Sequence, residues 1–144
     1  MNVLMLTESQ RQQIEREAAT AYPNECCGIM YGKDAAGQRI VSTLEAVPNV
    51  FDEVERYHRF SISPKQLMDA ERRAASRGEL VIGFYHSHPD HPARPSEYDR
   101  EHGWPFYSYV IIAVAKGMPD KMTSWLLSEQ TEQFQEQTIS IRAK

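Results

Sequence analysis

Apolar positions recur along the chain at two spacings, helical and alternating, and the switches between them predict its elements. Thr7-Glu8-Ser9-Gln10 reads as a capping box, with Thr at the N-cap and Gln three residues on. It opens a helix to about Tyr22, in which Ile14, Ala18 and Ala21 fall near one face and which Pro23-Asn24 stop. Cys27 to Lys33 is a short apolar run closed by Asp34-Ala35-Ala36-Gly37, the pattern of a strand, a turn and a second strand over Gln38–Val47. Pro48 to Val54 reads as a loop, and Arg56 to Ile62 as a further strand. Ser63 at the N-cap and Pro64 at the first helical position launch a second helix to about Arg77, striped by Leu67, Ala70 and Ala74 and ended by Gly78.

Leu80 to Tyr85 is almost wholly apolar, as a central strand buried on both faces should be. A loop with Pro89, Pro92 and Pro95 follows, then a short helical segment from about Ser96 to His102. Tyr107 to Ala115 is a second strongly apolar strand. Lys116 to Asp120 forms a turn, and Met122 to Leu127 returns as the other arm of a hairpin. Glu132 to Ile141 alternates loosely and reads as a final edge strand. Strands interleaved with three helical segments predict an α/β fold, a mixed central β-sheet flanked by helices. The sheet must be mixed because the Tyr107–Leu127 hairpin is antiparallel.

Composition narrows the class. The 144 residues suit one domain, 1–144, with a real core and no need of a disulfide staple. With 16 Lys+Arg against 20 Asp+Glu the net charge is −4, which argues against nucleic acid as the main partner. No run approaches the ~20 apolar residues that span a bilayer, and MNVLMLTESQ lacks a basic n-region. A soluble, cytoplasmic domain is expected. Cys26 and Cys27 are adjacent, so they would bridge only through a strained ring; they read as two reduced thiols at the start of a buried strand. No CxxC pair or cysteine-rich zinc site can be built from them.

The chemistry concentrates in His86-Ser87-His88-Pro89 and Ser96-Glu97-Tyr98-Asp99, where an apolar strand runs out into a loop. Histidines at i and i+2 on an extended backbone point to one side, so two imidazoles can converge on one ion. A carboxylate from the start of the next helix would complete two histidines and one aspartate, a three-ligand zinc set with an open fourth position. Each half has an ordinary explanation as well. Ser96-x-x-Asp99 is also a capping box, and an HxH alone arises by chance. Glu25 alone would be a solvated charge, and His91 and His102 read as bystanders. His58, Trp104 and Trp125 read as packing or surface residues.

Taken together, these segments resemble the signature of the JAMM metalloproteases, the MPN+ family: HxHP followed by SxxD, with a glutamate far upstream. Pro23-Asn24-Glu25-Cys26-Cys27-Gly28 resembles the family's P-x-E-x-C-G segment. The resemblance implies the JAMM/MPN (cytidine-deaminase-like) architecture. It also implies that His86, His88 and Asp99 bind Zn²⁺ with a water as fourth ligand. Glu25 would be the general base and then the acid, and Ser96 would hydrogen-bond the oxyanion. Amide hydrolysis needs these functions: a Lewis acid, proton transfer worth about 10²–10⁴-fold, and an oxyanion donor.

The same resemblance implies peptide or isopeptide bonds at the C-terminal tail of a ubiquitin-like protein, bound by strand addition at a sheet edge. With 61 positions from Glu25 to His86, there is little room for insertions, as in compact bacterial and archaeal members. The expected partner is a ubiquitin-like β-grasp sulfur carrier protein, from which cysteine or a short extension is released. Removal of such proteins from lysine side chains is close behind. A non-catalytic MPN scaffold, or a RadC-like DNA-associated protein, are the alternatives. A zinc deaminase would need a P-C-x-x-C element, which is absent.

Overall fold

The computed structural model describes residues 3–48 and 62–144. Among them run β1 (Val3–Thr7), α1 (Glu8–Ala21), β2 (Cys27–Ala35), β3 (Gln38–Val47) and α2 (Pro64–Ser76). Then come β4 (Leu80–Pro89), α3 (Glu97–His102), β5 (Ser108–Ala115), β6 (Met118–Leu127) and β7 (Phe134–Arg142). The strands lie in the order β1-β3-β2-β4-β5-β6-β7, and β7 returns to β1 to close the sheet into a barrel. β1–β3, β1–β7 and β4–β5 are parallel, whereas β2–β3, β2–β4, β5–β6 and β6–β7 are antiparallel. The sheet is therefore mixed, as expected. No helix among the described residues is long and apolar enough to cross a membrane.

The three helices among the described residues all start at reciprocal capping boxes: Thr7 with Gln10, Ser63 with Gln66 and Ser96 with Asp99. Each box satisfies two backbone N–H groups that the first helical turn leaves without partners. The two longer helices cover different parts of the sheet. α1 buries Ile14 and Ala18 against Leu4, Met30, Ile82, Tyr85 and Val110. α2 buries Ala70 and Ala74 in a second cluster with Ile29, Tyr31, Val81, Phe84 and Tyr109.

Three expectations need correction, and one strand was not expected. The edge strand at the C-terminal end is not an edge: β7 pairs through residues 134–137 with β6 and through residues 138–142 with β1. β1 had not been foreseen, and it is this strand that closes the barrel. The central strand does not stop at Tyr85 but continues to Pro89, because His86, Ser87 and His88 lie buried beside Ile111, Ile112 and Ala113 of β5. The hairpin turn is shorter than Lys116–Asp120: Lys116 (φ 52°) and Gly117 (φ 85°) turn the chain in two residues, with β6 starting at Met118. The strand expected over Arg56–Ile62 and most of the loop before it lie outside the described residues. Ile62 itself is buried and non-helical just before α2.

A bulge in β4 sets which way the site residues face. Met30 lies opposite Gly83 and Tyr31 opposite Val81, so Ile82 has no counterpart on β2. Beyond it, Phe84, His86 and His88 share one face by the period of two, and Tyr85 and Ser87 share the other, towards α1.

Candidate active site

β4 supplies two of the three groups that converge. His86 Nε2 and His88 Nε2 stand 3.2 Å apart. The Asp99 carboxylate, in the first turn of α3, closes the triangle: Oδ1 is 3.3 Å from His86 Nε2 and Oδ2 is 3.1 Å from His88 Nε2. These three residues form a group able to hold a metal ion. The spacing tests the fit. Zinc at about 2.0–2.1 Å from nitrogen and oxygen ligands in a tetrahedron requires ligands about 3.3–3.4 Å apart, close to the separations found.

Neighbouring groups aim these side chains. His88 Nδ1 lies 3.0 Å from the Pro92 carbonyl, which can only accept, so Nδ1 carries the proton and Nε2 turns its lone pair to the site. Asp99 is at once cap and member of the cluster: its Oδ2 accepts from Ser96 N–H at 2.8 Å, while its own N–H donates to Ser96 Oγ at 3.0 Å. The two sequence explanations of Ser96-x-x-Asp99 are thus compatible. Burial works to raise the Asp99 pKa, but the two histidines more than offset it and hold the carboxyl well below the usual range.

Glu25 arrives from elsewhere. It lies in the α1–β2 junction, 6% exposed, and lines one cleft together with His88 and Ser96. Burial pushes its carboxyl up to about 9, and the charge of Asp99 pushes the same way. A cation among His86, His88 and Asp99 would oppose that push and bring Glu25 towards the range of a general base. Ser96 Oγ, already accepting from Asp99, keeps its hydroxyl proton to donate into the cleft.

The rest of the upstream motif also has a physical reason. Gly28 pairs with Tyr85 of β4, whose ring lies across it: a Cβ there would stand 2.0 Å from Tyr85 Cζ. The Tyr85 hydroxyl donates to Glu17 of α1 at 2.6 Å. Both cysteines are free: the Cys27 thiol donates to Val47 O, and burial pushes the Cys26 thiol up to about 12. His91 lines the cleft without joining the cluster. His102 is the last residue of α3, stacked on Tyr98. Trp104 packs against Phe84, and Trp125 donates to Thr123. His58 lies outside the described residues. Sequence reasoning missed Arg94 and Tyr98, which also line the cleft; neither carries a local pattern that would have marked it.

Residues 7–128 match the family described as prokaryotic homologs of the JAB domain. A desampylase of Haloferax volcanii is 35% identical over 97 residues, 67% of each chain. The tail tip assembly protein K of Escherichia phage N15 is 33% identical over 88 residues, which cover 60% of this chain and 31% of that one. A solution structure of a protein from Desulfitobacterium hafniense superposes with a TM-score of 0.82 at 27% identity, over 99% of this chain and 94% of the other. A JAB1/MPN domain protein from Archaeoglobus fulgidus shares the fold, with a TM-score of 0.58 at 18% identity over 96% and 98% of the two chains. This chain belongs to the JAB/MPN family, among its prokaryotic JAB-domain members.

Proposed function

We propose that this chain is a zinc-dependent hydrolase of peptide or isopeptide bonds at the C-terminal Gly-Gly tail of a ubiquitin-like sulfur carrier protein, releasing cysteine or a short extension. The observation that carries the proposal is the cleft shared by Glu25, His88 and Ser96 beside the convergent His86, His88 and Asp99. His86, His88 and Asp99 are its metal ligands, and bound Zn²⁺ would supply a Lewis acid that brings the pKa of a water towards about 7. Glu25 takes the proton of the attacking water and returns it to the leaving amine. Ser96 donates to the carbonyl oxygen as it gains negative charge, a contact worth about 3–4 kcal/mol in a dry site.

An extended tail has a place to lie. β1 pairs with β3 only at Gln38–Ile40, and Gln10 takes the Val41 carbonyl. Residues 42–47 of β3 have β2 as their only strand partner among the described residues. Ala46 and Val47, at the end of that edge, border the same groove as Glu25. Strand addition there would lead a side-chain-free Gly-Gly end to Glu25. The desampylase relative supports a deconjugating activity.

The test is to load the protein with zinc and incubate it with a sulfur carrier protein extended by cysteine at its Gly-Gly end. Mass spectrometry should show loss of the extension, abolished by chelator and by Glu25→Gln, which keeps its zinc. Cleavage that survives Glu25→Gln would overturn the role of Glu25. Zinc binding with no cleavage of extended or lysine-linked tails would favour a scaffold.

A further inference from the structure

Glu25 poses a problem that the ligand set does not. His86 and His88 are fixed by a strand with neighbours on both sides, whereas Glu25 sits on an irregular junction between α1 and β2. A proton-transfer group on such a segment must still be held within about 0.5 Å of its working position. We propose that the junction is clamped to the metal-binding strand on both sides of Glu25, and that Ser87 and Asp90 are positioning residues for it.

One clamp is immediately C-terminal to Glu25. The Cys26 N–H donates to Ser87 Oγ at 2.8 Å, and the Ser87 N–H donates back to the Cys26 carbonyl at 3.1 Å. Ser87 is fully buried and lies between the two histidines in sequence. Its side chain takes the opposite face of β4, towards α1, so its work is done on the junction. The other clamp lies three residues N-terminal to Glu25. The Tyr22 hydroxyl donates to Asp90 Oδ2 at 2.6 Å. Asp90 is itself fixed: its Oδ1 accepts from Lys116 N–H at 2.8 Å, and its N–H donates to the Val114 carbonyl at 2.6 Å. Residues 22 and 26 are thus tied to residues 90 and 87 of the segment that carries His86 and His88. Glu25 cannot shift against the histidines without stretching one tie. The Ser87 tie is the stronger, being double and buried; the Tyr22 tie is single and solvent-exposed.

The proposal rests on the hydrolase reading for its kinetic consequence but not for its geometry, and the experiment keeps the two apart. The full chain is prepared as Ser87→Ala, Ser87→Thr, Tyr22→Phe and Glu25→Gln, each loaded with zinc for kinetics and with Co²⁺ for visible spectroscopy across pH. Ser87→Ala should keep equimolar zinc and a KM within about twofold, with kcat down about tenfold; a misplacement of about 1 Å can cost up to about 10²-fold. Ser87→Thr, which retains the acceptor oxygen, should recover most of the loss. Tyr22→Phe, which removes only an exposed hydroxyl and keeps the half-buried ring packed on the core, should lower kcat about two- to threefold. The Co²⁺ spectrum needs no substrate: Glu25→Gln should move its pH midpoint, and Ser87→Ala and Tyr22→Phe should move it the same way by less. Loss of zinc in Ser87→Ala would overturn the proposal, because the serine would then serve the ligands. So would an unchanged Co²⁺ midpoint in both clamp variants. If the wild type cleaves no tail, the hydrolase reading fails, while the Co²⁺ midpoints still decide on the clamp.

Discussion

The N-termini of α2 and α3 are built by the same local device and used for different ends. At α2, Ser63 Oγ accepts from Gln66 N–H at 3.1 Å and Gln66 Oε1 accepts from Ser63 N–H at 2.8 Å. At α3, Ser96 and Asp99 repeat the exchange at 3.0 and 2.8 Å. The surroundings differ. Gln66 is neutral, and its helix is anchored by the buried Ala70 and Ala74. Asp99 is charged and 3.1–3.3 Å from two imidazoles, on a helix of six residues that buries none of its own. So short a helix is marginal by itself, and the contacts of Asp99 with the two imidazoles help to dock it. A capping box in a sequence therefore does not reveal whether the side chain three residues after the N-cap is only a cap. The partners brought to it across the fold decide that.

Substitutions can pull the two ends apart, and the largest effect is expected at Asp99. Asp99→Asn keeps an oxygen for Ser96 N–H but removes the charge, so zinc affinity should fall at least about 10–100-fold, with hydrolysis lost. Metal analysis after dialysis against a weak chelator measures this, and full retention of zinc would reduce Asp99 to a cap. Gln66→Ala should leave zinc content unchanged.

Next is Ser96→Ala. It removes a cap and the proposed oxyanion donor together, so kcat should drop about 10²–10³-fold with zinc retained. Ser63→Ala removes a cap alone and should leave kcat as it was. Equal kcat in the two variants would break the distinction between the helices.

Acid should separate them more gently. The Asp99 pKa is lowered in the folded chain, so its contribution is complete above the unfolded value of about 4 and is lost as pH falls through the folded one. Gln66 does not titrate. In the metal-free protein, the stability gap between wild type and Asp99→Asn, measured by urea unfolding, should shrink from about pH 5 towards pH 2. A gap that grows on acidification would contradict the sign. The smallest effect belongs to Ser63→Ala itself: about 1 kcal/mol of stability, seen in the unfolding midpoint at constant slope.

Most of the helices and hairpins were legible in the sequence because their signals are local: caps, a proline at a first turn, runs of turn-forming residues, although the turns themselves proved shorter than those runs. The ligand candidates were legible for the same reason, since two histidines two apart on a strand and an aspartate three after a serine each have a short-range geometry. What was not legible depends on distant pairing. Val3–Thr7 is five residues long, and its partners are thirty-five and more residues away on β3 and β7. The extension of β4 through three polar residues and a proline is stabilised by β2 and β5, not by its own composition. The ties from Tyr22 to Asp90 and from Cys26 to Ser87 likewise join residues sixty-odd positions apart.

X-ray absorption at the zinc edge tests the central claim most directly, that β4 and the cap of α3 hold the metal together. The account predicts a first shell of only nitrogen and oxygen at about 2.0–2.1 Å, with the outer scattering of two imidazoles. A sulfur scatterer at about 2.3 Å, which only Cys26, Cys27 or a methionine could supply, or a shell without imidazole scattering, would contradict it.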